Sequence, residues 1–193
     1  MTQEIEIEFK NLLTKSEFLK LSEALCMKEH DFKQQVNHYF DTKDFSLKQK
    51  KSALRIREKD GAFVLTLKEP AAVGLLETHQ ELAAPDLDVF KIPDGPVKRQ
   101  LEGLGINSEH ICYFGTLSTA RAEKESEKGL IILDHSRYLE KEDFELEFEA
   151  ADWDEGKRAF EQLLKQFGIP ERITKNKIQR FYEQKQKKGG MTQ

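Results

Sequence analysis

Residues 4–10 read Glu-Ile-Glu-Ile-Glu-Phe-Lys. Strict alternation of charged and apolar residues is the two-residue period of a β-strand, whose side chains point to opposite faces in turn. Ile5, Ile7 and Phe9 form a face ready to pack on a core, and Glu4, Glu6, Glu8 and Lys10 form the other. With a rise of roughly 3.4 Å per residue, like charges two apart stand about 7 Å from each other and repel. Such a row is tolerable when water solvates it or when a cation binds it. The pattern returns at 144–149, where Phe144, Leu146 and Phe148 alternate with Glu145, Glu147 and Glu149. Any fold for this chain has to place two such acidic rows.

A chain of 193 residues suits a single domain and is long enough to bury a real core. Thirteen Phe and regular apolar spacing argue against disorder despite 34% charged residues. The net charge of −4 argues against broad nucleic-acid binding, although local basic clusters can still take a small anion. Cys26 and Cys112 are far apart, with no CxxC pair, and read as reduced thiols. No signal peptide precedes the first strand and no apolar run approaches membrane-spanning length, so a soluble cytoplasmic protein is expected.

Further elements follow from the same patterning. Thr14-Lys15-Ser16-Glu17 fits a capping box opening a helix with Phe18, Leu21 and Leu25 on its apolar stripe. Residues 38–42 read as a short strand and 44–51 as a short helix or turn. In 53–59, Leu54 and Ile56 oppose Arg55, Arg57 and Lys59. Asp60-Gly61 marks a hairpin, and the returning strand sets Phe63, Leu65 and Leu67 against Val64, Thr66 and Lys68. Residues 77–82 form a weaker strand, polar on both faces. Pro96 starts a helix packed through Val97, Leu101 and Leu104. Strands follow at 114–124, with Thr119, Arg121 and Glu123 on one face, and from Leu130 through Tyr138, with the next turn at 141–143. A helix over 154–167 carries Ala159, Phe160, Leu163, Leu164 and Phe167 and ends at Gly168. Thr174 is expected to cap a last helix over about 175–187, and residues 189–193 read as a frayed tail. No linker divides the chain, so 1–188 reads as one α+β domain with a largely antiparallel sheet.

Periodicity alone describes a sheet with one face on a core and the other in water. The sorting of charge suggests more. Neighbouring opposite charges are mildly favourable, so a solvated face should mix signs within each strand. Here the Glu rows occupy the first and last long strands, whereas Arg55, Arg57, Lys68 and Arg121 occupy strands between them. If the sheet closes with these rows inward, they line a polar cavity, and no sheet edge is left exposed. Spacing alone does not establish closure.

Glu6-Ile7-Glu8-Phe9-Lys10 resembles the ExExK signature of the CYTH superfamily, the triphosphate tunnel metalloenzymes. Tyr39-Phe40-Asp41-Thr42, Leu54-Arg55-Ile56-Arg57, Thr66-Leu67-Lys68, Thr119-Ala120-Arg121, Asp134 and Glu145-Leu146-Glu147-Phe148-Glu149 follow in that family's order. Thr174-Lys175 resembles its C-terminal Ser-Lys element. The resemblance covers the chain to about Arg180 and is to the compact bacterial members. It implies a closed eight-stranded antiparallel β-barrel, a tunnel with charged interior and helices packed outside. It further implies binding of a triphosphate-containing small molecule or inorganic polyphosphate together with Mg²⁺ or Mn²⁺.

Lys10, Arg55, Arg57, Lys68, Arg121 and Lys175 would then hold phosphate oxygens, the guanidinium groups through planar donor forks. Glu4, Glu6, Glu8, Asp134, Glu145, Glu147 and Glu149 would offer hard oxygen ligands to the metal, with Glu6, Glu8, Glu147 and Glu149 favoured as its direct ligands. Glu6, Glu8, Lys10 and Glu147 would carry the catalysis, which is hydrolysis of a terminal phosphate. A class IV-type adenylyl cyclase and a non-catalytic triphosphate-binding module use the same grip, but two acidic rows favour catalysis over binding alone. The sequence leaves room for a homodimer. Region 69–81 departs from the family pattern in lacking a basic residue that some members carry. Tyr39 reads as packing or hydrogen bonding. The histidines show no metal-ligand spacing, although His79 stands apart in alternating with Glu77 and Glu81.

Overall fold

The computed structural model describes residues 2–189. The strands are β1 (Gln3–Leu13), β2 (Lys33–Thr42), β3 (Ala53–Lys59), β4 (Ala62–Pro70), β5 (Leu75–Leu82), β6 (Ile111–Ser126), β7 (Gly129–Tyr138) and β8 (Lys141–Ala150). The helices are α1 (Lys15–Ala24), α2 (Ser46–Gln49), α3 (Pro96–Gly103), α4 (Trp153–Phe167) and α5 (Lys177–Gly189). The strands close into an antiparallel barrel in the order β1-β5-β4-β3-β2-β6-β7-β8. Of the expected tail, Gly189 ends α5 and residues 190–193 lie outside the described residues.

Two compact units make up the chain. One comprises the residues up to Glu6 with Gln35–Thr116, the other Ile7–Gln34 with the chain from Leu117 onward. Each has its own apolar core, and each core takes one face of the alternating strands. In the first, Leu54 and Ile56 of β3 and Leu65 and Leu67 of β4 pack with Val97 and Leu101 of α3. In the second, Ile131 and Leu133 of β7 and Leu146 and Phe148 of β8 pack with Phe18 and Leu21 of α1 and Phe160 and Leu164 of α4. The two-residue period thus puts every second residue against helices and leaves the rest on a polar face. Ile132, fully buried, is an exception to the polarity: it pairs with Glu147 and so shares the polar face.

Local signals explain most boundaries. Glu17 N–H donates to Thr14 Oγ1 at 3.2 Å and Thr14 N–H to Glu17 Oε2 at 2.7 Å, both halves of the box that opens α1. Asp60 (φ 52°) and Gly61 (φ 77°) form the two-residue loop between paired Lys59 and Ala62, since such loops need positive φ at both central residues.

Four expectations are corrected. The strand expected at 38–42 begins at Lys33. The β7–β8 turn falls at Leu139 and Glu140 (φ 47° and 62°), between paired Tyr138 and Lys141, and not at 141–143. Neither residue favours positive φ, but the Tyr138 hydroxyl donates to Asp143 across the hairpin and fixes the register. Thr174 does not cap α5, because its hydroxyl accepts from Leu12 N–H and donates to Arg172 O, both at 2.9 Å. Asn176 precedes the helix instead, its N–H held by Gln179 Oε1 at 3.1 Å. Ile5 is 54% exposed, because in its unit α3 packs over β4 and β5, one strand short of β1.

Helix α4 approaches the barrel through Gly156. A Cβ there would lie 2.5 Å from Ala150 Cβ and 2.8 Å from Phe9 Cε2. Alanine is the better helix former by about 1 kcal/mol, but overpacking typically costs about 1–3 kcal/mol. Gly156→Ala is therefore expected to lower stability in chemical denaturation, against the propensity scale.

Candidate active site

The polar face of the second unit is a ladder of charges in register. Lys10 on β1 pairs with Glu147 on β8, and Glu8 with Glu149. Glu145 pairs with Asp134 on β7, which pairs with Arg121 on β6. Directly paired residues share a face, so the two acidic rows of the sequence meet. Asp134 and Glu147 are 0% and 2% exposed, where an unpaired carboxylate would be very costly.

Cations answer that burial. Arg121 grips Asp134 with two bonds, Nε to Oδ1 at 2.8 Å and Nη2 to Oδ2 at 2.6 Å, and reaches Glu147 Oε2 at 2.5 Å. Lys177, entering from α5, places Nζ 2.9 Å from Asp134 and 2.8 Å from Glu145 and also pairs with Glu147. Lys10 pairs with Glu8. Burial disfavours charge on Glu147, but Lys177, Arg121 and Lys10 outweigh it and hold the carboxyl well below its usual range. Burial likewise opposes charge on Lys177, and Asp134, Glu145 and Glu147 overcome it and push the ammonium well above its ordinary value. Helix α5 is pinned by Arg180, whose Nε donates to Asp143 at 2.9 Å and Nη2 to Glu145 at 2.6 Å.

The first unit carries a separate polar face. Tyr39, Arg55, Thr66 and His79 align across β2, β3, β4 and β5, with Asn37, Arg57, Val64 and Glu81 in the neighbouring row. Lys68 bonds Glu6 at 2.7 Å and also pairs with Glu77. Arg57 Nε donates to Asn37 Oδ1 at 3.0 Å, whereas the buried Arg55 Nε makes no hydrogen bond among the described residues. Burial would raise the Glu77 carboxyl, but Lys68 and Arg55 bring it down to about 2.

The structure therefore brings Glu8, Lys10, Arg121, Asp134, Glu145, Glu147 and Glu149 onto one polar face, and Glu6, Arg55, Arg57 and Lys68 onto the other. Lys175 is the correction. It is exposed and pairs with Glu183 at 2.5 Å on the helix surface. The lysine among the acids is Lys177, because α5 begins two residues later than expected. Glu77 was also missed, since a strand polar on both faces gave no reason to choose one.

A closed barrel whose strands turn apolar faces out to helices and ionised rows the other way is inverted relative to a barrel filled by a greasy core. Its ionisable side chains lie on the strand face turned away from the helices. The chain belongs to the CYTH domain family, whose model matches residues 4–182. It is 66% identical over 188 residues to a Bacillus subtilis (strain 168) protein named "Putative triphosphatase YjbK", covering 97% of this chain and 99% of that one. It is similar to a crystal structure described as a "putative adenylate cyclase" from Bacillus halodurans, with 47% identity, a TM-score of 0.91 and 94% and 100% of the two chains covered. HpAC1 from Hippeastrum, described as having a dominant triphosphatase activity, is similar at 26% identity and a TM-score of 0.68, over 93% and 96% of the chains.

Glu77 supplies a pH test. Its depressed pKa contributes stability that is complete above the ordinary carboxylate pKa of about 4.3 and is lost as pH falls toward about 2. Lys68→Met strands Glu77 with Arg55 as its remaining cation, and breaking a buried pair costs about 3–5 kcal/mol. In denaturation the variant should lie well below wild type at pH 7, with the gap narrowing between about pH 4.5 and 2.

Proposed function

We propose that this chain, with residues 1–188 acting as one CYTH domain, hydrolyses the terminal phosphate of tripolyphosphate or an organic triphosphate using Mg²⁺ or Mn²⁺. The observation that carries the reading is the row of buried carboxylates, Asp134, Glu145 and Glu147, ion-paired to Arg121 and Lys177. Anion binding alone calls for the cations and has no use for the acids. The names of the Bacillus subtilis relative and of the Hippeastrum structure support the same chemistry.

The donor set suits a hard divalent ion. Glu8 and Glu149 face each other in register, with carboxylate oxygens within 4.8 Å of one another and Lys10 beside Glu8, a spacing at which two carboxylates can share a divalent ion. Glu6, Glu8, Asp134, Glu145, Glu147 and Glu149 are the residues that would hold the metal. When bound it supplies charge neutralisation and a more acidic water. The remaining work falls to the chain. Lys10, Arg121 and Lys177 on one polar face, and Arg55, Arg57 and Lys68 on the other, neutralise and orient phosphate oxygens. The unengaged Arg55 Nε–H is a donor ready for one of them. A carboxylate of the acidic row takes the proton of the attacking water. The new P–O bond forms as the bond to the bridging oxygen breaks, giving orthophosphate and diphosphate from tripolyphosphate. Phosphoryl transfer needs positioning and electrostatics above all, which these rows provide.

The Bacillus halodurans structure's description favours a second reading, cyclisation of ATP. No adenine pocket is recognisable in the sequence, so hydrolysis is preferred. We place the protein in the cytoplasm on its two free cysteines, Cys26 and Cys112. No helix among the described residues is long and apolar enough to cross a membrane.

Phosphate release from tripolyphosphate, thiamine triphosphate and ATP, each with Mg²⁺, Mn²⁺ or EDTA, decides between the readings. Metal-dependent release with one preferred substrate is expected; pyrophosphate and cyclic AMP from ATP would establish the cyclase. Glu8→Gln should lose metal-dependent turnover while remaining folded. Arg57→Ala should raise KM by tenfold or more, since a charge-assisted contact is worth about 1.5–3 kcal/mol. Near-normal kinetics in both variants would sink the site assignment.

A further inference from the structure

His79 Nε2 lies 3.2 Å from Glu4 Oε1 and 3.5 Å from Glu77 Oε2. Its other ring nitrogen, Nδ1, is 3.0 Å from the Thr66 hydroxyl. One donor atom from each of Glu4, Glu77 and His79 falls within 4.8 Å of the others. We infer that these three residues form a separate metal site, on the first unit, for a first-row divalent transition ion such as Zn²⁺.

Nε2 is within hydrogen-bonding distance of Glu4 Oε1, and the spacing of the cluster also suits a shared metal ion. An imidazolium paired to carboxylates makes charge-assisted bonds of about 2.7–2.9 Å. The two contacts here are longer than that. Metal–ligand bonds of about 2.0–2.2 Å, in octahedral or tetrahedral geometry, instead set neighbouring donor atoms about 3.0–3.5 Å apart. The observed 3.2 and 3.5 Å match that spacing.

The surroundings are those of a ligating histidine. In the tautomer whose Nδ1–H donates to the Thr66 hydroxyl, Nε2 presents its lone pair toward both carboxylates, and a fixed partner on the far nitrogen is how metal-bound imidazoles are oriented. Lys68 engages Oε1 of Glu77, leaving Oε2 toward His79. Glu77 is buried, His79 half-buried and Glu4 exposed, so the ion has rigid ligands on one side and a route from solvent on the other. One imidazole and two carboxylates suit Zn²⁺, Co²⁺, Mn²⁺ or Fe²⁺, whereas Mg²⁺ prefers oxygen alone. This inference does not depend on the proposed phosphohydrolysis.

The test is calorimetric titration of the full chain with Zn²⁺ in saturating Mg²⁺, for wild type, His79→Gln and Glu4→Gln. Wild type should bind Zn²⁺ at a site whose affinity falls tenfold or more in each variant. Glu4 is exposed, so Glu4→Gln tests the site without endangering the fold. Zinc-edge X-ray absorption should show an imidazole nitrogen ligand in wild type that disappears in His79→Gln. Absence of Zn²⁺ binding, isotherms unchanged by both substitutions, or an all-oxygen shell in wild type would overturn the assignment.

Discussion

Charge compensation on the polar face of the strands is the constraint on which the rest depends. Three carboxylates at Asp134, Glu145 and Glu147 are buried deeply enough that leaving them without partners would be very costly. Arg121 and Lys177 prevent this, and their own charges are sustained by the same acids. The arrangement is mutual, so no member can be judged by its pairwise contacts. It also fixes geometry, because a guanidinium bonded twice to Asp134 and once to Glu147 admits little freedom.

That constraint explains the inverted build. If the ionised rows lie inside the barrel, the apolar rows must be covered outside it. Helices α1 and α4 do this for the second unit and α3 for the first. The amphipathic helices are therefore the lids of two apolar cores, and the barrel interior is released from the duty of holding the fold together by greasy packing. Strand β1 shows the economy: Gln3–Glu6 pair with β5 and Ile7–Leu13 pair with β8, so the ExExK segment crosses from one neighbour to the other.

Much of this was legible because a two-residue period is unambiguous. The rows of β1, β3, β4 and β8 assigned faces correctly from alternation, and Asp60-Gly61 and Thr14–Glu17 marked boundaries through specific backbone chemistry. What escaped shares a physical cause: it was decided by particular side-chain contacts and not by the period of the pattern. The β7–β8 turn is set by the Tyr138 bond to Asp143 and not by turn-forming residues. Lys175 and Lys177 look equivalent in a run of Thr-Lys-Asn-Lys, and only the start of α5, fixed by Asn176 and Gln179, decides which one reaches the acids. Glu77 was noted only as a neighbour alternating with His79, because its strand offers polar residues on both sides, and its importance appears only opposite Lys68.

The entry of Lys177 from the last helix bears on how the chain assembles. Asp134, Glu145 and Glu147 leave the ribosome 30 to 43 residues before Lys177. During that interval β7 and β8 can pair and pack on α1, but their carboxylates have Arg121 and not the ammonium that will sit among them. The last cations of this wall of the barrel come with α5, where Arg180 fastens the helix to Asp143 and Glu145. A nascent chain that has not yet made α5 therefore carries β7 and β8 acids that lack Lys177 and Arg180 and that water must go on solvating.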